Sequence, residues 1–175
     1  GRRYIGKAPE EWFEFVEKEK EEKPKATVNV ETTFDEATRL LTAVVTVTAL
    51  ENLTGDAWRI SAVVTEDAVT GPAPYYNQQN IYATLYGYMG GYENLPNPIP
   101  ASRIAYDHVA RQLLGGYEGE AALSTGLVAG QSFAQTFTYY IPEEYDHNYI
   151  RVVGILLGEG GIVDNAGISE YANGQ

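Results

Sequence analysis

From Ala26 onward the chain alternates with a period of two, and few architectures tolerate that. Ala26, Val28, Val30, Thr32 and Phe34 alternate with Thr27, Asn29, Glu31 and Thr33. Successive side chains of a strand point to opposite faces, so this spacing fits a pleated strand and misfits a helix. Asp35-Glu36-Ala37-Thr38 reads as a turn. Leu41, Ala43, Val45, Val47 and Ala49 then form one face of a second strand, with Thr42, Thr46 and Thr48 opposite. Its β-branched density suits a sheet. After a turn at Glu51-Asn52-Leu53-Thr54-Gly55-Asp56, Trp58, Ile60, Ala62 and Val64 alternate with Arg59, Ser61 and Thr65. These three strands predict an antiparallel meander with one wet face.

The period returns late. Phe133, Phe137, Tyr139 and Ile141 alternate with Ala134, Thr136, Thr138 and Tyr140. Tyr149 to Leu157 is nearly all apolar, which predicts a central strand covered on both faces. Gly158-Glu159-Gly160-Gly161 turns, and Ile162 to Tyr171 predicts a last strand. Six strands with polar turns predict a mainly β fold, an antiparallel β-sandwich of immunoglobulin-like or jelly-roll-like type.

Two segments break the period. Pro9 to Lys23 reads as a helix, with Pro9 in its first turn, lysines late and Pro24 as its stop. Residues 1–25 are expected to be a helical linker or the remnant of an upstream domain, and residues 26–171 the sandwich. The second break, an insert over 67–132, holds five prolines and eight of the 14 tyrosines. Within it, Ile104, Val109 and Leu113 have helical spacing and Asp107–Arg111 an i,i+4 relation. A short helix is predicted over Ser102 to Leu114, capped by Ser102 and stopped by Gly115. Loops this long without structure of their own are uncommon and are often functional.

Charge narrows the partners. Residues 1–25 carry seven Lys or Arg and seven Glu, so the whole net charge of −12 lies after Lys25. Such a surface repels phosphates and anionic headgroups, which argues against nucleic acid. With no cysteine there is no thiolate metal site and no thiol nucleophile. Gly1-Arg2-Arg3-Tyr4 opens no apolar leader, so any targeting segment or anchor is expected outside these residues.

The residues best suited to recognition are Tyr75, Tyr76, Tyr82, Tyr88 and Tyr92, with Asn77, Gln78 and Asn80 among them; Gln79 and Tyr86 belong to the same run. Aromatic faces stack on sugar rings or fill partner pockets, and amides satisfy the hydroxyls. The same rings could instead pack the loop onto itself, and both readings stay open at this point. No catalytic, metal or cofactor set emerges. Asp107 and His108 are adjacent, so on a helix they diverge, and a structural pair with Arg111 is expected. Glu66-Asp67 reads as strand-end acids that accept hydrogen bonds from the insert. Glu143, Glu144, Asp146 and Asn148 offer oxygen to a cation but lack an EF-hand pattern. The serines lack a nucleophile elbow, and no phosphate-binding loop follows a strand. Asn52-Leu53-Thr54 matches a glycosylation sequon that the turn already explains.

The motifs "TEDAVTG" (65–71), "YYNQQNIY" (75–82), "MGGYENLPNPIPAS" (89–102), "YDHVARQLLGG" (106–116) and "RVVGILL" (151–157), in this order, resemble the twenty-eight-kilodalton outer-membrane protein family of Porphyromonas and other Bacteroidetes. The resemblance covers roughly residues 55–171. It implies a lipid-anchored surface protein, adhesin- or receptor-like, exposed on the outer membrane and meeting a host or cell-surface protein or glycan. It also implies that a thioredoxin-like domain can precede the β-rich region. No catalytic residues come with it, so the expectation is a non-enzymatic module.

Overall fold

The computed structural model describes residues 11–55, 57–84, 87–120, 123 and 126–172. One helix, α1 (Trp12–Glu21), precedes seven strands: β1 (Ala26–Asp35), β2 (Leu40–Ala49), β3 (Arg59–Glu66), β4 (Val109–Leu114), β5 (Ser132–Tyr140), β6 (Ile150–Leu157) and β7 (Val163–Ile168). They form two sheets, ordered β1-β2-β5 and β4-β3-β6-β7. The sandwich is therefore the predicted one. An order of 1-2-5 against 4-3-6-7 follows the immunoglobulin-like Greek key, with the fourth strand moved beside the third, and seven strands fall short of an eight-stranded jelly roll. No described helix is long and apolar enough to cross a membrane.

The alternating residues of β1 and β2 do what their period requires. β1 and β2 pair without a slip from Ala26↔Ala49 to Asp35↔Leu40, and β2 and β5 from Leu40↔Tyr140 to Thr48↔Ser132. Leu41, Val45 and Val47 of β2 meet Ile60, Val64, Ile150, Val152 and Leu156 of the other sheet in one buried cluster. At roughly 1.5–3 kcal/mol for each large apolar side chain buried, this cluster is the main stabilising term. The turn after β1 is fixed by Asp35, whose carboxylate accepts the N–H of Ala37 and Thr38 at 2.9 and 3.2 Å. Arg39, at a positive φ of 55°, follows. Its guanidinium donates to the carbonyls of Ile141, Pro142 and Tyr145, which ties the loop after β5 to the β1–β2 turn.

Three expectations need correction. First, β1, β2 and β3 are not a meander, because β3 lies in the other sheet. Leu53 exchanges backbone hydrogen bonds with Leu127, and Ile60 with Glu120, so the chain between β2 and β3 is led away from its neighbour. The supposed wet face of β3 is largely covered: Ser61 and Thr65 are buried and Arg59 is half-buried. The Ser61 hydroxyl donates to the carbonyls of Leu114 and Gly116, which removes the cost of burying it. Second, β6 is central but alternates, with Arg151, Val153 and Ile155 only half-buried. Third, the helix predicted over Ser102–Leu114 does not form. Ala101–Arg103 makes a single 3₁₀ turn, His108 takes a positive φ of 57° that ends any helix, and Val109–Leu114 is β4. The sheet partner offered by β3 outweighs a helical pattern of three apolar residues.

α1 begins within the predicted Pro9–Lys23 span; Pro9 itself lies outside the described residues. None of its residues is buried. By compactness the chain divides into two units, Gly1–Thr65 with Ala110–Gln175, and Glu66–Val109.

Candidate functional site

The unit Glu66–Val109 holds the tyrosine-rich run, and little of it is regular structure. Two backbone bridges brace it, Val69↔Tyr106 and Gln78↔Ile99. Each bridge exchanges a pair of N–H···O bonds of 2.8–3.0 Å. At the neck, the carboxylate of Asp67 accepts the backbone N–H of His108 at 2.6 Å and lies 2.7 Å from its Nδ1. Asp107 reciprocates by accepting the N–H of Ala68 at 2.9 Å. Asp67 thus does take hydrogen bonds across the loop. Asp107 and His108 reach back to residues 68 and 67, and Arg111 stacks on the Tyr145 ring 4.2 Å from its centroid.

The loop interior is built from amides. Asn80 is buried, and its Nδ2 donates to the carbonyls of Tyr92, Leu95 and Pro96. Its Oδ1 accepts the N–H of Tyr82, and its own N–H donates to Asn97 Oδ1. Asn77 Oδ1 accepts the N–H of Ala101. The Tyr106 hydroxyl donates to the carbonyl of Tyr76 and to Gln78 Oε1. The Tyr76 ring meets the Tyr106 ring edge-on at 6.1 Å and lies flush over Gly71, where a Cβ would run into it. Glu93 accepts the N–H groups of Met89 and Gly91, both at 3.0 Å, and holds the Gly90-Gly91 turn. Its own backbone amide, then those of Met89 and Gly91, hold the Glu93 carboxyl below the usual carboxylate range.

The eight residues singled out from the sequence therefore separate. Tyr76, Asn77 and Asn80 act as internal braces, and the exposed Gln78 accepts from the Tyr106 hydroxyl at the surface. Tyr75 and Tyr88 stand 89% and 86% exposed, and Tyr92 51%. Tyr82 and Tyr92 share the wall of a shallow depression of about 360 Å³ with Gln79, Ile99, Ile104 and Tyr106. Tyr92, Ile99 and Ile104 also border a second open depression of about 380 Å³, together with Gly90, Gly91 and Arg103. Tyr75 and Tyr88 line neither depression. Tyr86 lies outside the described residues. Arg103 and Glu93 were not among the residues singled out, although Arg103 is the one Lys or Arg of residues 66–109 and Glu93 one of its four acids. Their signal was there, since a charge inside a Tyr/Pro/Gly run needs a partner or a ligand.

Asp67 orienting a histidine is two-thirds of a hydrolytic triad. Among the described residues no hydroxyl is bonded to His108, and no group of three or more His, Asp or Glu is placed to hold a metal ion. Asp146 accepts the backbone and side-chain amides of Asn148, which accounts for that acidic turn locally. Asn52 Oδ1 accepts the N–H of Ala129, so the sequon asparagine serves as a brace between two loops.

No family model matches the chain, and no curated protein matches it. Among solved structures it is similar to HBP35 of Porphyromonas gingivalis, with a TM-score of 0.56 and 15% identity, over 92% of this chain and 45% of that one. A fainter similarity, with a TM-score of 0.45 and 13% identity, is to a domain of the outer membrane lipoprotein Omp28 from Porphyromonas gingivalis, over 82% of this chain and 93% of that one. The chain spans less than half the length of the HBP35 structure, and at such identity the likeness concerns the fold.

Proposed function

We propose that this chain is a non-enzymatic surface-binding module of the outer membrane, which meets a host or cell-surface protein or glycan through the 75–92 segment. One observation carries the reading: Tyr75, Tyr88 and Tyr92 present exposed rings from a loop that Asn80 and Glu93 lock from within. Aromatic rings held out on a braced scaffold bind at low entropic cost. The outer-membrane setting rests on the motif resemblance, with attachment through an anchor outside these residues. The acidic surface favours neutral sugars or basic protein partners over nucleic acid.

The test is a glycan and surface-protein binding screen with wild type, Tyr75→Ala, Tyr88→Ala and Tyr92→Ala. The expected result is a loss of tenfold or more in affinity for at least one ligand in folded variants. Unchanged affinity in all three would sink the reading.

A second reading has its own observation. α1 exposes Trp12, Phe13 and Val16, which suits contact with a preceding domain. On this reading the sandwich is an accessory that positions an upstream thioredoxin-like domain. Truncation of residues 1–25 would then impair the upstream activity and leave ligand binding intact.

A further inference from the structure

Arg103 is the one Lys or Arg of residues 66–109, and among the described residues its guanidinium carries no ion pair and no hydrogen bond. Glu93 and Asp107 are engaged elsewhere. Glu93 accepts from the amides of Met89, Gly91 and Asn94, and Asp107 from the N–H of Ala68. Arg103 borders the open depression of about 380 Å³ beside the half-exposed Tyr92. The Tyr92 hydroxyl is the one other polar side-chain group there; Leu95, Ile99, Ile104 and Ala105 are apolar, and the remainder is glycine. A guanidinium offers five N–H donors and no acceptor. Set beside an apolar floor and an aromatic ring, it suits a ligand with one acceptor, one small apolar group and one flat face.

Charge chooses the acceptor. The chain carries −12, and Arg103 shares its unit with four acids, so a full anion gains from one residue and is repelled by the surroundings. A neutral amide carbonyl takes the same N–H groups without that repulsion. Building on the reading that the 75–92 segment meets a glycan, we infer that this depression is a subsite for an N-acetylhexosamine. The acetamido carbonyl accepts from Arg103, its methyl packs on Leu95, Ile99 and Ile104, and the pyranose face lies against Tyr92.

The adjoining depression takes the next sugar of the chain. Tyr92, Ile99 and Ile104 are common to both, and the second adds Gln78, Gln79 and the Tyr82 and Tyr106 hydroxyls. Amides and hydroxyls both donate and accept, as the hydroxyls of an unsubstituted ring do. Two depressions of about 360 and 380 Å³ along one aromatic wall fit two consecutive rings.

Calorimetric titration with N,N′-diacetylchitobiose and cellobiose tests this, because the two share ring and linkage and differ in acetamido against hydroxyl. Wild type is expected to bind the acetylated sugar about tenfold or more tighter, the worth of a hydrogen bond to a charged donor. Arg103→Leu should abolish that preference. The variant alters an exposed side chain and keeps the backbone bond to Pro100, and an unchanged melting temperature checks its fold. Arg103→Lys, which keeps the charge but loses the planar fork, should retain part of the preference. Equal affinity for the two sugars, no binding of either at about 10 mM, or a preference that survives Arg103→Leu overturns the inference. So does tighter binding of digalacturonate, which would make this an anion site, or of an uncharged Ala/Ser peptide. If the preference is absent while another ligand is still lost on Tyr75→Ala or Tyr88→Ala, this subsite falls and the surface-binding reading stands. If no ligand depends on Tyr75, Tyr88 or Tyr92, both fall.

Discussion

His108 turns back on Asp67: its Nδ1 and its backbone N–H both lie within 2.7 Å of one carboxylate oxygen. His108 and Ala68, the two residues of this neck with positive φ, each have their N–H taken by an aspartate from the opposite segment, Asp67 and Asp107 respectively. A non-glycine residue in that region is strained by about 1 kcal/mol, and the crossed hydrogen bonds hold it there. The Asp67 carboxylate is buried whereas the imidazole is 69% exposed. Asp67→Ala therefore strips His108 of both bonds and is expected to destabilise the neck by about 1–3 kcal/mol. His108→Ala keeps the backbone bond and should cost under about 1 kcal/mol. Amide exchange at Val69 and Tyr106, which bond to one another just inside the neck, reads the difference.

Asn80 and Tyr75 make opposite predictions from neighbouring positions. Asn80→Ala leaves the carbonyls of Tyr92, Leu95 and Pro96 without their shared donor. The expected cost is about 1–3 kcal/mol, seen as faster exchange across 80–97. Tyr75→Ala removes an almost fully exposed ring and should change stability by less than about 0.5 kcal/mol. A Tyr75 variant that melts the loop would show that the ring packs after all.

The division between these two residues also marks how far the sequence could be read. Period two named β1, β2 and β5 almost to the residue, because each buries one face against the same core, and an apolar run named β6. It misplaced β3, since Ser61 and Thr65 look like a solvent face, and nothing local says that carbonyls of Leu114 and Arg151 await their hydroxyls. It misread 102–114 as helix, because Ile104, Val109 and Leu113 keep helical spacing whether or not His108 breaks the backbone. Composition pointed to the 75–92 run. Which tyrosines brace and which stand free depends on Gly71 beneath Tyr76 and on the reach of Asn80, and spacing carries neither fact.

Glu93 gives the loop a pH dependence. Its carboxyl titrates below the usual range, so the folded loop favours the charged form. The contribution is then fully present above the ordinary carboxylate value of 4.5 and is lost as pH falls through the lower folded value. Amide exchange at Met89 and Gly91, corrected for intrinsic rates, should rise relative to β2 as pH drops from 6 toward 3. Glu93→Gln should show the faster exchange already at pH 6 and little further change. Protection in wild type that stays constant down to pH 3 would contradict this account.

Gly154 sets the distance between the sheets. A Cβ on this β6 residue would come within 2.7 Å of Val30 Cγ2 and 2.8 Å of Val45 Cγ1. Its φ is not in the left-handed region, so the backbone itself would accept alanine, and the constraint is space alone. Both valines are anchored in the packed interior and have few rotamers to escape into. Overpacking a core by one methyl forces side chains off their rotamers or the sheets apart. Gly154→Ala is therefore expected to lower stability by about 1–3 kcal/mol in urea unfolding. Gly154→Ala combined with Val45→Ala should recover part of that loss, because the smaller residue opens the space the new methyl needs. Recovery in the double variant identifies contact with Val45 as the cause. Strict additivity of the two costs would show that Gly154 acts through the chain's flexibility and not through the gap between the sheets.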